Sequence, residues 1–180
     1  MRLLPSLILI AGLLVSGVAL SAGLPPWEFG MTKDQVKSFS QFGPYKSFSN
    51  GDLETHNGVF RGRKENVQFF FQNNRLVRIG VYLGEGDDRD KVIATFRQVY
   101  DILRKDYGEV NIPEVQADAH SAPLNPDILA IGAAANAQAT GYTHILPIKQ
   151  PKNVRVSGVI MNNPDVDRNW FAVAIFFDSP

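Results

Sequence analysis

The 180-residue chain contains no cysteine. That absence removes a disulfide framework, a thiolate nucleophile, cysteine-ligated zinc and a lipidated N-terminal cysteine in one step. Excess charge of either sign is missing too, since 18 basic residues balance 18 acidic ones. Dedicated binders of nucleic acid or anionic membrane rely on surplus lysine and arginine, so near-neutrality argues against both. Only three histidines occur, His56, His120 and His144, and no two share a metal-ligand spacing such as His-x-x-x-His. Beyond residue 22 no apolar run approaches the roughly 20 residues needed to span a bilayer.

What is present begins at the first residues. Met1 and Arg2 form a short basic head, Leu7 to Leu20 an apolar middle, and Ala19-Leu20-Ser21-Ala22 a small-residue exit. This is the layout of a secretory signal peptide over residues 1–22, with cleavage expected around Ala19, Ser21, Ala22 and Gly23. The competing reading, an uncleaved anchor, has to carry Pro5 inside a helix that proline breaks. The expected address is the bacterial periplasm or the exterior, with no stable membrane span after cleavage and no lipid anchor. About 158 residues would remain, enough to bury one core without staples. Without Arg2 the basic residues fall to 17 against 18 acidic, a formal charge of −1. Twelve Phe, five Tyr and two Trp indicate a folded, aromatic-rich domain.

Along the mature chain, Thr32 with Gln35 three residues on predicts a capped short helix from Lys33 to Gln41, ending before Gly43-Pro44. Val67, Phe69 and Phe71 alternate with polar residues, and Val77, Ile79, Val81 and Leu83 follow across Asn73-Asn74. That pattern predicts a hairpin of two half-buried strands. Weaker strands are expected around Ser47–Thr55 and Val59–Arg63, parted by Asn57-Gly58. Val92, Phe96, Val99, Leu103 and Tyr107 form one helical stripe behind acidic Asp87, Asp88 and Asp90. This helix is expected to run to Asp106, to be capped by Gly108 and to pack across the hairpin. Residues 110–124 read as a loop, and Asn125-Pro126-Asp127 as the start of a short or frayed helix. Tyr142–Ile148, Val154–Met161 and Trp170–Phe177 complete the chain as strands, the last apolar on both faces and therefore central.

Gly30-Met31-Thr32-x-x-Gln35-Val36, then Phe42-Gly43-Pro44, then Val67-x-Phe69-x-Phe71-x-x-Asn74-x-Leu76-Val77, resembles the opening of the BamE (SmpA/OmlA-like) family of small envelope domains. The resemblance covers residues 27 to 83. It implies an α+β fold, an antiparallel sheet packed by two or three helices, and two BamE-like halves are one way to build it from this chain. The expected organisation is a leader at 1–22, a BamE-like half at 23–109, a loop at 110–124 and a C-terminal helix-and-sheet half at 125–180 in the same globule. The family's lipoproteins carry a cysteine at the cleavage site, which this chain lacks, so a role in outer-membrane protein assembly does not transfer. The same small architecture used in tandem also resembles secreted inhibitors of beta-lactamase.

Motifs for chemistry are sparse. Ser157-Gly158 has no nucleophile-elbow pattern around it. Gly84-Glu85-Gly86-Asp87-Asp88 lacks the glycine spacing and lysine of a phosphate loop. Asp165, Asp167 and Asp178 do not form a calcium-loop spacing. No catalytic, cofactor-binding or metal-ligating residue is assigned, and no cofactor is implied. Trp27, Phe29, Arg61, Arg63 and Lys64 are the candidate partner patch. Trp27, Phe29, Phe70, Tyr82 and Phe176 pose a further question: second core layer or exposed apolar surface. The expected role is a non-enzymatic, protein-binding or accessory module whose partner is another envelope protein, with a secreted enzyme inhibitor as the alternative. A hydrolase would instead require a concave site gathering His120 or His144 with acids.

Overall fold

The computed structural model describes residues 24–115, 125–163 and 169–180. The leader, its cleavage residues Ala19, Ser21, Ala22 and Gly23, and His120, Asp165 and Asp167 lie outside the described residues. Among the described residues eight strands form one antiparallel sheet, in the order β1-β2-β3-β4-β8-β7-β6-β5. They are β1 (Lys46–Ser47), β2 (Leu53–Phe60), β3 (Arg63–Gln72), β4 (Arg75–Gly86), β5 (Val110–Asn111), β6 (Tyr142–Pro147), β7 (Arg155–Asn162) and β8 (Phe171–Asp178). The helices are α1 (Lys33–Lys37), α2 (Arg89–Tyr107) and α3 (Pro126–Thr140). This corrects the expected fold class. The molecule is dominated by a single continuous sheet rather than by a helix-packed α+β arrangement. The seam between the expected halves is itself a strand pair, with β8 lying antiparallel along β4 from Arg78↔Asp178 to Gly86↔Phe171. Among the described residues no helix is long and apolar enough to cross a membrane.

Local chemistry explains the elements. Thr32 caps α1 reciprocally, its hydroxyl accepting from the Gln35 amide at 3.3 Å while Gln35 Oε1 accepts from the Thr32 amide at 2.8 Å. α1 nevertheless ends at Lys37, and Ser40–Phe42 form a separate 3-10 turn, so the helix expected to Gln41 is broken. Asn73 and Asn74 both take positive φ, 51° and 58°, which is the twist-matched turn a β3–β4 hairpin needs. The second turn lies elsewhere than expected. Arg61 and Gly62 carry the positive φ values of 50° and 80°, and Asn57-Gly58 sits inside β2 at a register shift. Gly58 is needed there because a Cβ would overlap the Val67 side chain.

Asp88 caps α2, and its buried face is Val92, Phe96, Val99 and Leu103. The helix lies over the centre of the sheet rather than over the β3–β4 hairpin. Val99 and Leu103 close on Gly158 of β7, and Thr95 closes on Gly84 of β4. α3 is longer than expected, fifteen residues, because its alanines are good helix formers and bury a close-packed face at Ala130, Ala133, Ala134 and Ala137. Thr143 of β6 donates from its buried hydroxyl to the Ala133 carbonyl at 2.9 Å.

β6 is paired to β5 only through Leu146 and Pro147, which among the described residues leaves most of its outer edge without a strand partner. Side chains close it. Asn136 Nδ2 donates to the Tyr142 carbonyl at 3.0 Å, and the His144 amide donates to Glu114 at 3.2 Å. Such capping removes the exposed backbone groups that recruit foreign strands.

Candidate binding face

Alternation along the strands sends each second residue to one side of the sheet. Val67, Phe69, Ile79, Val81, Val173, Ile175 and Phe177 join the main core with α2, α3 and Trp27. Their neighbours Phe70, Tyr82, Val159, Met161, Ala174 and Phe176 form a separate small cluster that, among the described residues, contains no helical residue. Gly80 makes this second cluster possible. A Cβ there would lie 2.6 Å from the Phe176 ring, so the glycine lets the ring settle onto β4. Phe70 and Tyr82 meet Phe176 edge-on, both at 6.1 Å between centroids, and the Arg78 guanidinium caps the ring at 5.1 Å. Arg78 also pairs with Asp178.

Polar groups flank the aromatic strip. On the β2–β3 side, buried Glu54 accepts from Asn66 Nδ2 at 3.1 Å and Gln68 Nε2 at 3.4 Å, with Lys46 and His56 at 3.9 and 3.7 Å. Burial, with Glu85 and Glu54 nearby, pushes the Tyr82 hydroxyl up to about 12 against the pull of Arg78. It therefore remains a neutral hydroxyl through the physiological range.

On the β6–β7 side a shallow, open pocket of about 410 Å³ is lined by His144, Leu146, Gln150, Arg155, Ser157 and Asp178, among others. Its position is set by register, since Ser157 pairs with Phe176 and Arg155 with Asp178. The aromatic strip thus runs directly into the pocket. Gln150 bonds both ways with the Val156 backbone and pins the chain between the two strands. His144 Nδ1 lies 2.6 Å from Glu114 Oε1, and the Tyr142 ring meets the imidazole at 5.0 Å. Burial pushes the Glu114 carboxyl up, but hydrogen bonds from the His144 ring and from backbone amides outweigh it and hold it below the ordinary value. An ionised carboxylate only accepts, so Nδ1 carries the proton and Nε2 is the free nitrogen. The Arg155 side chain makes no ion pair or hydrogen bond among the described residues.

The sequence-derived patch does not assemble. Trp27 is fully buried, 4.8 Å from both Phe42 and Phe69 between ring centroids, and belongs to the core. Phe29 is half-buried and packs on the same core beside the start of β4, where the Gly30 amide donates to the Leu76 carbonyl. Arg61, Arg63 and Lys64 sit at the opposite end of β3, separated from Phe29 by most of a ten-residue strand, about 33 Å long at the usual rise. Arg61 is engaged at 2.6 Å by Asp106 of α2. The two aromatic residues and the three cations therefore lie at opposite ends of the sheet.

Of the histidines, His56 is exposed beside Glu54, and His144 is gathered with an acid, Glu114. That pairing joins residues 30 positions apart, which no local motif could reveal. Ser157 lines the same pocket, but no hydrogen bond joins it to His144, so the parts of a nucleophilic site are not assembled here. Among the described residues no three acids or histidines group as metal ligands. Neither a scan of family models nor searches of curated proteins and of solved structures finds a match to this chain.

Proposed function

We propose that this chain is a non-enzymatic binding module of the bacterial cell envelope, exported by residues 1–22 and similar to BamE-like domains over its N-terminal part. It docks another envelope protein against the sheet face that carries Phe70, Tyr82, Met161 and Phe176. One observation carries this reading: an aromatic cluster built without any helical residue, on the face opposite the helix-covered core. Phe176 itself is buried within the cluster, and the half-buried edges of Phe70, Tyr82 and Met161, rimmed by polar side chains, are the apolar surface offered to a partner. The partner's footprint is apolar at its centre and charged at its margin.

Site-directed photo-crosslinking in intact cells tests this. Probes at Gln68 and Ser157 report on the proposed face, and probes at Arg89 and Gln98 on exposed positions of α2. A discrete adduct confined to the first pair supports the reading. Adducts of equal yield from α2, or none from the sheet face, overturn it.

A further inference from the structure

The pocket between β6 and β7 presents an unusual set of groups. Arg155 is exposed and without a counter-ion among the described residues, while the nearest acid across the strand, Asp178, is already taken by Arg78. Ser157 offers a hydroxyl, and His144 offers Nε2 because Glu114 holds Nδ1. We infer that this pocket binds a carboxylate, and, resting on the docking reading above, that the carboxylate is an aspartate, glutamate or chain terminus of the docked partner.

A planar carboxylate matches the fork of a single guanidinium in two parallel hydrogen bonds. Ser157 adds a third donor. Charge counting selects a monoanion. The charged groups that face the imidazole or line the pocket are Glu114, Arg155, Asp178 and its partner Arg78, with the neutral Tyr142 ring against the imidazole. Arg78 and Asp178 neutralise each other and Glu114 is engaged by the His144 ring, which leaves Arg155 as the cation without a partner among the described residues. One guanidinium therefore balances one carboxylate, whereas a phosphate dianion exceeds what it can neutralise. The pocket volume of about 410 Å³ accommodates a side chain rather than a folded element. Because Ser157 lies opposite Phe176 in register, a partner whose apolar residues cover the aromatic strip brings a neighbouring carboxylate within reach.

Acetate and inorganic phosphate are the probes, titrated into the mature protein while the His144 ring and Arg155 Nε–H resonances are followed by NMR. Saturable shifts with acetate, unmatched by phosphate, are expected for a site built around one free guanidinium fork. Arg155→Gln should weaken acetate binding about tenfold, as loss of a charge-assisted hydrogen bond implies. Non-saturating shifts, an unaffected R155Q protein, or tighter binding of phosphate overturn the proposal. Crosslinking from Gln68 in the R155Q background separates the two readings. A diminished adduct shows that the partner supplies the carboxylate. An undiminished adduct rejects the partner as the source and leaves the docking face standing, and loss of adducts in the unmutated protein defeats the docking reading itself.

Discussion

Val99 of α2 lies directly over Gly158 of β7, so closely that a Cβ on the glycine would overlap the valine methyl and crowd Leu103. This contact seats the long helix on the middle of the sheet. Ser157, the preceding residue, points to the other side, where it lines the pocket.

Gly158→Ala should therefore destabilise the protein by about 1–3 kcal/mol, the usual cost of overpacking a well-filled core. Ser157→Ala should stay within about 0.5 kcal/mol of the parent, as substitutions outside the core do. Urea denaturation of the two variants checks the contrast. Equal stability of both would show that α2 is not seated on β7 as described.

Trp27→Ala should cost about 3–5 kcal/mol, because the indole is fully buried among Phe39, Phe42 and Phe69. A contact residue for a partner would behave differently, leaving stability intact and weakening association alone. Thermal and chemical unfolding of W27A decides between these roles.

Glu114 gives a pH signature. Its carboxyl is held below the ordinary 4.5, so it contributes stability that is complete above that value and is lost as pH falls through the folded-state value. Glu114→Gln should lower stability at neutral pH and flatten the acid limb below about pH 4.5. Denaturation midpoints measured across this range test it. An acid limb unchanged by E114Q would mean that the bond to His144 contributes nothing to folding.

Tyr82 provides the alkaline counterpart. Its hydroxyl is raised from 10.0 to about 12 by burial first and by Glu85 and Glu54 next. The stability this represents is present below pH 10 and is lost as pH rises toward the folded value. Spectrophotometric titration should show a late phenolate step that disappears in Tyr82→Phe. A Tyr82 step at the ordinary value would place the ring in solvent rather than against Phe176.

Where neighbours in sequence are neighbours in space, the residues themselves announced the structure. The stripe from Val92 to Leu103 is buried as its spacing required, and Asn73-Asn74 makes the turn that asparagine tolerates. The Thr32–Gln35 capping box forms as written. Turn and breaker signals misled where packing overrode them. Asn57-Gly58 looked like a turn, yet Gly58 serves the close approach of Val67 inside a strand. The alanines of α3 looked like a weak helix, yet their small side chains let it settle on α2 and β6.

Composition, periodicity and capping thus determined the nature of most elements, because hydrogen-bonding rings and side-chain alternation are local properties of the chain. The continuous sheet, and with it the correction of the fold class, came from the pairing of β4 with β8, strands more than eighty residues apart whose union no short window encodes. The same holds for the candidate site. Phe70, Tyr82 and Phe176 meet only because Gly80 lets one ring lie on the neighbouring strand, and His144 finds Glu114 only across the sheet edge. Tertiary structure decided which face the helices cover, because burying the larger apolar set on one side left the smaller set on the other.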